Sequence, residues 1–200
     1  LRAAVPLMLE NNIYSSALLP YASLTGENEE PSRGPARPGK SRYRGFQAGL
    51  SFSRLSWTAS DVVYRKGYSL RAFYDRSLAG LGSEFDAQRA NLRGTLYLPS
   101  PLPRQVFSFT PTYEWEKGDY HYYSAGSVTL GHPGRRREHE VRLYSAYTFP
   151  LAFIEWKLPL LPMHLDYLSG RLFLDWGTSW NRGSMWDAAR GEGQTSTGAG

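Results

Sequence analysis

The chain has 200 residues and a formal net charge of +5, from 23 Lys and Arg against 18 Asp and Glu. It contains no cysteine, which excludes disulfide scaffolds, zinc sites with thiolate ligands and cysteine nucleophiles. No stretch approaches the roughly 18 continuous apolar residues that indicate a transmembrane helix. The aromatic content of 14 Tyr, 9 Phe and 6 Trp favours an all-β chain over a helical or disordered one.

Six segments alternate apolar and polar residues with the period of two that is typical of β-strands. In chain order they are residues 44–57, 67–76, 86–98, 105–116, 138–149 and 167–180. Strands of globular proteins usually have about 5–6 residues, whereas a tilted membrane-spanning strand needs about 9–11. Each of the six segments is long enough for a membrane-spanning strand, which favours a transmembrane β-barrel over a β-sandwich.

The alternation predicts a wall with one apolar and one polar face. Expected on the apolar, lipid-facing side are Phe46, Ala48, Leu50, Phe52, Phe107, Phe109, Leu172 and Leu174. Expected on the polar, lumen-facing side are Gln47, Ser51, Ser108, Thr110, Arg171 and Asp175. This polarity is the inverse of a soluble barrel, whose interior is filled by apolar side chains.

The connections between the segments alternate in length. Residues 27–42, 117–137 and 181–195 are long and polar, whereas residues 99–104 (PSPLPR) form a short turn stiffened by proline. Long loops at one rim and short turns at the other are typical of outer-membrane barrels. Antiparallel strands then predict that the three long loops share one rim. Residues 150–166 depart from the pattern, because this connection is longer than a simple turn.

The sequence contains no pattern of an enzyme or of a cofactor site. Its four histidines, His121, His132, His139 and His164, are not spaced to share a metal ion. It has no nucleophile elbow, phosphate loop or HExxH motif. Residues 27–44 form a charge-dense loop, but this loop lacks the basic face with stacking aromatics that nucleic-acid binding needs. We therefore predict no enzymatic activity, no cofactor, no metal and no nucleic-acid partner.

Two segments, taken together, resemble a known family. Residues 147–151 (YTFPL) resemble a strand end of the outer-membrane-protein-85 superfamily, the bacterial surface antigen barrels. Residues 170–180 (GRLFLDWGTSW) resemble the FxDxG strand that follows it in that family. Residues 66–86 are similar to an upstream segment, and order and spacing agree from Gly67 to Gly200. The positions that carry the family pattern are Tyr147, Phe149, Pro150, Phe173, Asp175 and Gly177.

The resemblance implies a β-barrel of the Gram-negative type of outer membrane. We expect residues 1–200 to be a fragment of a single barrel domain, with roughly eight strands of a total of about 16. The implied function is outer-membrane protein assembly or polypeptide translocation, and the implied partners are the lipid bilayer and client outer-membrane polypeptides. One alternative is a passive pore or membrane-anchor barrel fused to a soluble domain. The other is a soluble ligand-binding β-barrel.

Asp175 is the predicted key residue of the polar face. In the family, an arginine at an RGF or RGY loop tip meets this aspartate inside the lumen, and the corresponding loop here lacks such a tip. A carboxylate inside a barrel is partly desolvated and needs a cationic partner or several donors. The candidate partners are Arg135, Arg136, Arg137, Arg142 and Arg171. The alternative is an aspartate that is wetted by channel water.

Overall fold

The computed structural model describes residues 2–5, 8–11, 15–28, 42–56, 64–84, 86–118, 138–157, 164–181 and 184–199. Ten strands form one antiparallel sheet, which confirms the all-β antiparallel part of the predicted fold. The strands are β1 Arg2–Ala4, β2 Met8–Asn11, β3 Ser15–Asn28, β4 Arg42–Ser56, β5 Lys66–Ser77, β6 Ala87–Pro99, β7 Val106–Gly118, β8 His139–Lys157, β9 His164–Trp180 and β10 Gln194–Ala199. A 3₁₀ turn (Ala79–Leu81) and one helix, α1 (Met185–Glu192), complete the described elements.

The strands follow a simple up-and-down order. Each strand from β3 to β9 pairs with the next one along the chain, and β1 and β2 both pair with the free side of β3. Strands β10 and β1 therefore lie at opposite ends of the sheet. The strands that the structure describes do not close into a barrel.

The hairpin of β8 and β9 differs from the sequence prediction. We predicted a connection at residues 150–166, but β8 continues to Lys157 and β9 begins at His164. Pro150 pairs with Ser169 next to a register shift between Pro150 and Ala152, and a second shift follows before Trp156. Proline cannot donate to the ladder, and a bulge accommodates it without ending the strand. The prediction was wrong because a proline was interpreted as a strand end.

The predicted loop at residues 181–195 also needs correction, because it contains α1 and the first residues of β10. The Ser184 hydroxyl accepts a hydrogen bond from the Asp187 backbone N–H (3.2 Å) and donates one to the Asp187 carboxylate (2.7 Å). A serine at this position with an acidic residue three places later is a favourable helix start. The helix packs against β9.

The predicted turn at residues 99–104 lies where expected, between the end of β6 and the start of β7. The Ser100 N–H donates to the Gln105 carbonyl (3.0 Å), and Arg104 has a positive φ of 61°. Because the strands are antiparallel, this turn and the connections after β4 and β8 lie at the same set of strand ends, which we call the short-turn edge. The connections after β3, β5, β7 and β9 lie at the opposite strand ends, which we call the long-loop edge. Residues 29–41 and 119–137 are outside the described part of the chain.

Candidate functional site

The register of the sheet sorts the strand residues onto two faces. Residues directly opposite each other in an antiparallel pair share a face. Phe52 lies opposite Leu18 and Leu70, whereas Gln47 lies opposite Ser23 and Asp75. We call the face of Phe52 the apolar face and the face of Gln47 the polar face. Following the register across the sheet places all fourteen residues predicted for the two faces as the alternation indicates.

Large apolar side chains are exposed across the apolar face. They are Leu24, Leu50, Tyr68, Leu70, Tyr74, Leu92, Leu96, Leu98, Phe107, Leu143, Leu168, Leu172 and Leu174. These residues span strands β3 to β9, so they form one continuous surface rather than scattered positions. An exposed apolar surface of this extent marks an interaction site or a membrane contact.

Most of the buried side chains in the described ranges lie on the polar face, and Ser16 and Thr178 are the exceptions on the apolar face. On the polar face, the buried polar side chains are Asp75, Ser77, Thr110, Glu116, Thr148, Asp175 and Ser179. The buried hydrophobic residues in the described ranges are few, and they lie on the same face: Tyr21, Ala87, Val106 and Ala146. Side chains of a single-layer sheet become buried when the sheet curves towards them. We infer that the sheet curves around its polar face.

Arg142 and Asp175 form an ion pair on the polar face. The Arg142 Nε donates to Asp175 Oδ1 (2.8 Å) and Nη2 donates to Oδ2 (2.6 Å), which is the two-pronged geometry of a strong pair. The Asp175 side chain is fully buried, and the Arg142 side chain is 30% exposed. Arg142 lies directly opposite Gly177, two residues along β9 from Asp175, so the pair is diagonal across the two strands.

Of the two predicted arginines that lie in the described residues, the structure brings Arg142 to Asp175. Arg171 lies on the same face of β9, opposite Thr148 and four residues along the strand from Asp175. Arg135, Arg136 and Arg137 lie outside the described residues. The observed pair joins β8 and β9, which are neighbouring strands of the sheet.

A second charged cluster was not predicted from the sequence. Arg89 lies 3.8 Å from Asp75 and 3.7 Å from Glu114, and its guanidinium carbon lies 5.0 Å from the centre of the Phe73 ring. Asp75 and Arg89 are directly opposite each other on β5 and β6. Opposite charges at facing positions stabilise a strand pair. Only the strand register shows that these residues face each other.

The first family-motif segment has a structural role at the β7–β8 contact. Tyr147 stacks on Phe107 with ring centres 4.7 Å apart, and its hydroxyl donates to the Gln105 side-chain carbonyl. Both rings lie on the apolar face. Pro150 lies at the bulge opposite Ser169.

Two further motif aromatics cover glycines on the neighbouring strand. A Cβ atom at Gly170 would lie 2.7 Å from the Phe149 ring, and a Cβ atom at Gly198 would lie 2.5 Å from the Phe173 ring. Each pair is directly opposite in the register. A ring that lies flat on a facing glycine supplies the packing that the glycine lacks.

Comparison with models of known protein families gives no match, and no curated protein matches the chain. Among the described residues, no helix has the length and apolar character needed to cross a membrane. Nor does any group of three or more His, Asp or Glu in the described ranges converge as metal ligands would. The arrangement of charge and apolar surface on the sheet is therefore the basis for a functional assignment.

Proposed function

We propose that the chain forms part of the wall of an outer-membrane β-barrel and crosses the bilayer with its strands. The observation that carries this proposal is the inverted polarity of the sheet, with leucines exposed on one face and carboxylates buried on the other. An apolar band outside and a polar interior are the pattern of transmembrane barrels. Soluble monomers rarely expose contiguous apolar patches larger than a few hundred Å².

Strand length supports the same proposal. Strands β3 to β9 have 12 to 19 residues, and a tilted strand crosses the hydrocarbon core with about 9–11. Lipid does not satisfy unpaired backbone groups. In the proposed barrel, further strands therefore cover the open edges at β10 and at β1–β2.

For the activity of this barrel we propose assembly of outer-membrane proteins or translocation of polypeptides. The support is the resemblance of residues 147–151 and 170–180 to the surface antigen barrels, together with the buried position of Asp175. The clients would be outer-membrane polypeptides, and the location would be a Gram-negative type of outer membrane.

A passive pore or membrane-anchor barrel is the second candidate, and one observation favours it. Asp175 receives its guanidinium from Arg142 on the adjacent strand. In the family that the sequence resembles, this charge comes from a loop tip. A pair within the wall stiffens the barrel without requiring a loop that reaches into the lumen.

Fractionation of cells that express the intact protein tests the membrane proposal. We expect the protein to stay in the membrane pellet after an alkaline carbonate wash and to need detergent for solubility. Recovery as a soluble monomer without detergent would overturn the proposal and favour a soluble ligand-binding barrel.

Depletion of the protein then separates the two membrane activities. Loss of folded client barrels on depletion supports assembly or translocation. Unchanged client levels, with the protein still embedded, support the pore or anchor.

A further inference from the structure

Arginines on the polar face fall into two groups. Arg89 and Arg142 are paired with carboxylates. Arg71, Arg93 and Arg171 have no ion pair with any residue that the structure describes. Three cationic side chains on one face of the sheet therefore lack a carboxylate partner within the described ranges.

Two of these cations face each other directly. Arg71 on β5 lies opposite Arg93 on β6. The Cβ atoms of such a pair are about 4.5–5.5 Å apart, and like charges in this position destabilise the sheet. The Arg71 guanidinium carbon lies 6.0 Å from the centre of the Tyr21 ring and 5.7 Å from that of Phe73. These rings offset part of the charge of Arg71, but not that of Arg93.

Arg171 lies apart from this pair, on β9, three strands away from Arg93. Arg71 and Arg93 lie at the middle of β5 and β6. The described carboxylates of the polar face lie nearer the long-loop edge, together with Arg89 and Arg142: Asp75, Glu114, Glu116, Glu140 and Asp175. The two facing arginines are therefore set apart from these carboxylates along the strands.

Neutral hydrogen-bond donors lie beside the cations. Ser69 and Thr95 are directly opposite each other, two residues from Arg71 and Arg93 on the same face. The Thr95 and Thr110 hydroxyl oxygens are 3.3 Å apart and share a hydrogen bond. Guanidinium groups with adjacent hydroxyls are a suitable donor set for an oxyanion.

We propose that the facing Arg71 and Arg93 form a binding site for an oxyanion, the phosphate or carboxylate group of a solute inside the barrel. A bound anion removes the repulsion between the two facing arginines. The planar guanidinium binds both oxyanions in a two-pronged manner. The location of the site in a lumen rests on the proposed function, whereas the binding site itself depends only on the polar face.

Titration of the intact protein in a non-ionic detergent tests this site. The probes are inorganic phosphate and acetate, each compared with chloride at the same ionic strength and pH. We expect a saturable rise in the thermal midpoint with at least one oxyanion and none with chloride. Tighter binding of phosphate than of acetate identifies a phosphate site, and the reverse order identifies a carboxylate site.

Substitutions locate the site. We expect Arg71→Gln and Arg93→Gln to weaken oxyanion binding at least tenfold, and each to raise the thermal midpoint of the anion-free protein. Arg93→Lys, which keeps the charge, should retain part of the binding. Arg76→Gln is the matched control, because Arg76 is exposed on the other face of β5 and should leave binding unchanged.

Unchanged oxyanion affinity in both glutamine variants would overturn the site, as would equal effects of oxyanions and chloride on the native protein. The two proposals fail separately. A membrane-embedded protein without oxyanion binding contradicts only the site. A protein that is soluble without detergent and still binds an oxyanion through Arg71 and Arg93 contradicts only the membrane assignment.

Discussion

The ion pair between Arg142 and Asp175 predicts an unequal response to the loss of either charge. Asp175→Asn removes the buried charge and leaves an arginine that is 30% exposed and can regain water. Arg142→Gln removes the two hydrogen bonds that this guanidinium donates to a fully buried carboxylate. The second change should therefore be the more damaging.

The magnitudes follow from the burial of the two groups. A hydrogen bond to a charged group contributes about 1.5–3 kcal/mol, so we expect Asp175→Asn to lower the free energy of unfolding by about 1–3 kcal/mol. Removing one partner of a buried pair costs about 3–5 kcal/mol, and partial exposure of Arg142 places Arg142→Gln near the lower end. The double variant should be more stable than Arg142→Gln alone, because it leaves no buried charge behind.

Urea unfolding of the intact protein in detergent, followed by tryptophan fluorescence, measures these differences. Arg171→Gln is the control, because it removes an exposed arginine that has no ion pair in the described residues and should change stability by less than about 0.5 kcal/mol. Wild-type stability of both single variants would refute the reasoning. A strictly additive double variant would also refute it.

Three further predictions concern the wall. Gly49→Ala should lower the free energy of unfolding, measured by thermal unfolding, by about 1–3 kcal/mol, because its Cβ would lie 2.5 Å from the Tyr21 ring. Gly94→Ala should be tolerated, because the nearest atom to its Cβ, in Pro111, would lie 3.7 Å away. Leu50→Arg should lower the stability of the protein in a bilayer by about 2–4 kcal/mol. Gln47→Arg, opposite Asp75 on the polar face, should not, and equal losses of stability would contradict the assigned faces. A cysteine at Leu102 should react with an impermeant maleimide only after the outer membrane is permeabilised, and labelling on intact cells would reverse the orientation.

The alternation of residues was sufficient to predict most of the sheet. Segments 44–57 and 105–116 correspond to β4 and β7, because each of their residues faces one of two different environments and period two is therefore visible in the sequence. Strand β3 was not predicted, since Leu19 and Tyr21 place apolar side chains on its polar face.

The partner of Asp175 could be reduced to five arginines but not to one. Pairing across strands depends on the register, and a shift of one residue moves every side chain to the other face. The sequence also contained the start of α1, a serine followed three residues later by aspartate, although the polar composition around it favoured a loop. That local signal competes with composition, and only packing against β9 decides between them.

Nitroxide scanning of β4 in the intact protein, reconstituted in a lipid bilayer, tests the membrane wall most directly. The native chain has no cysteine, so single cysteines at positions 47, 48, 50, 51 and 52 carry the label without background. We predict that labels at 48, 50 and 52 collide with oxygen dissolved in the lipid, and that labels at 47 and 51 do not. Absence of this alternation, or its opposite phase, would contradict the account.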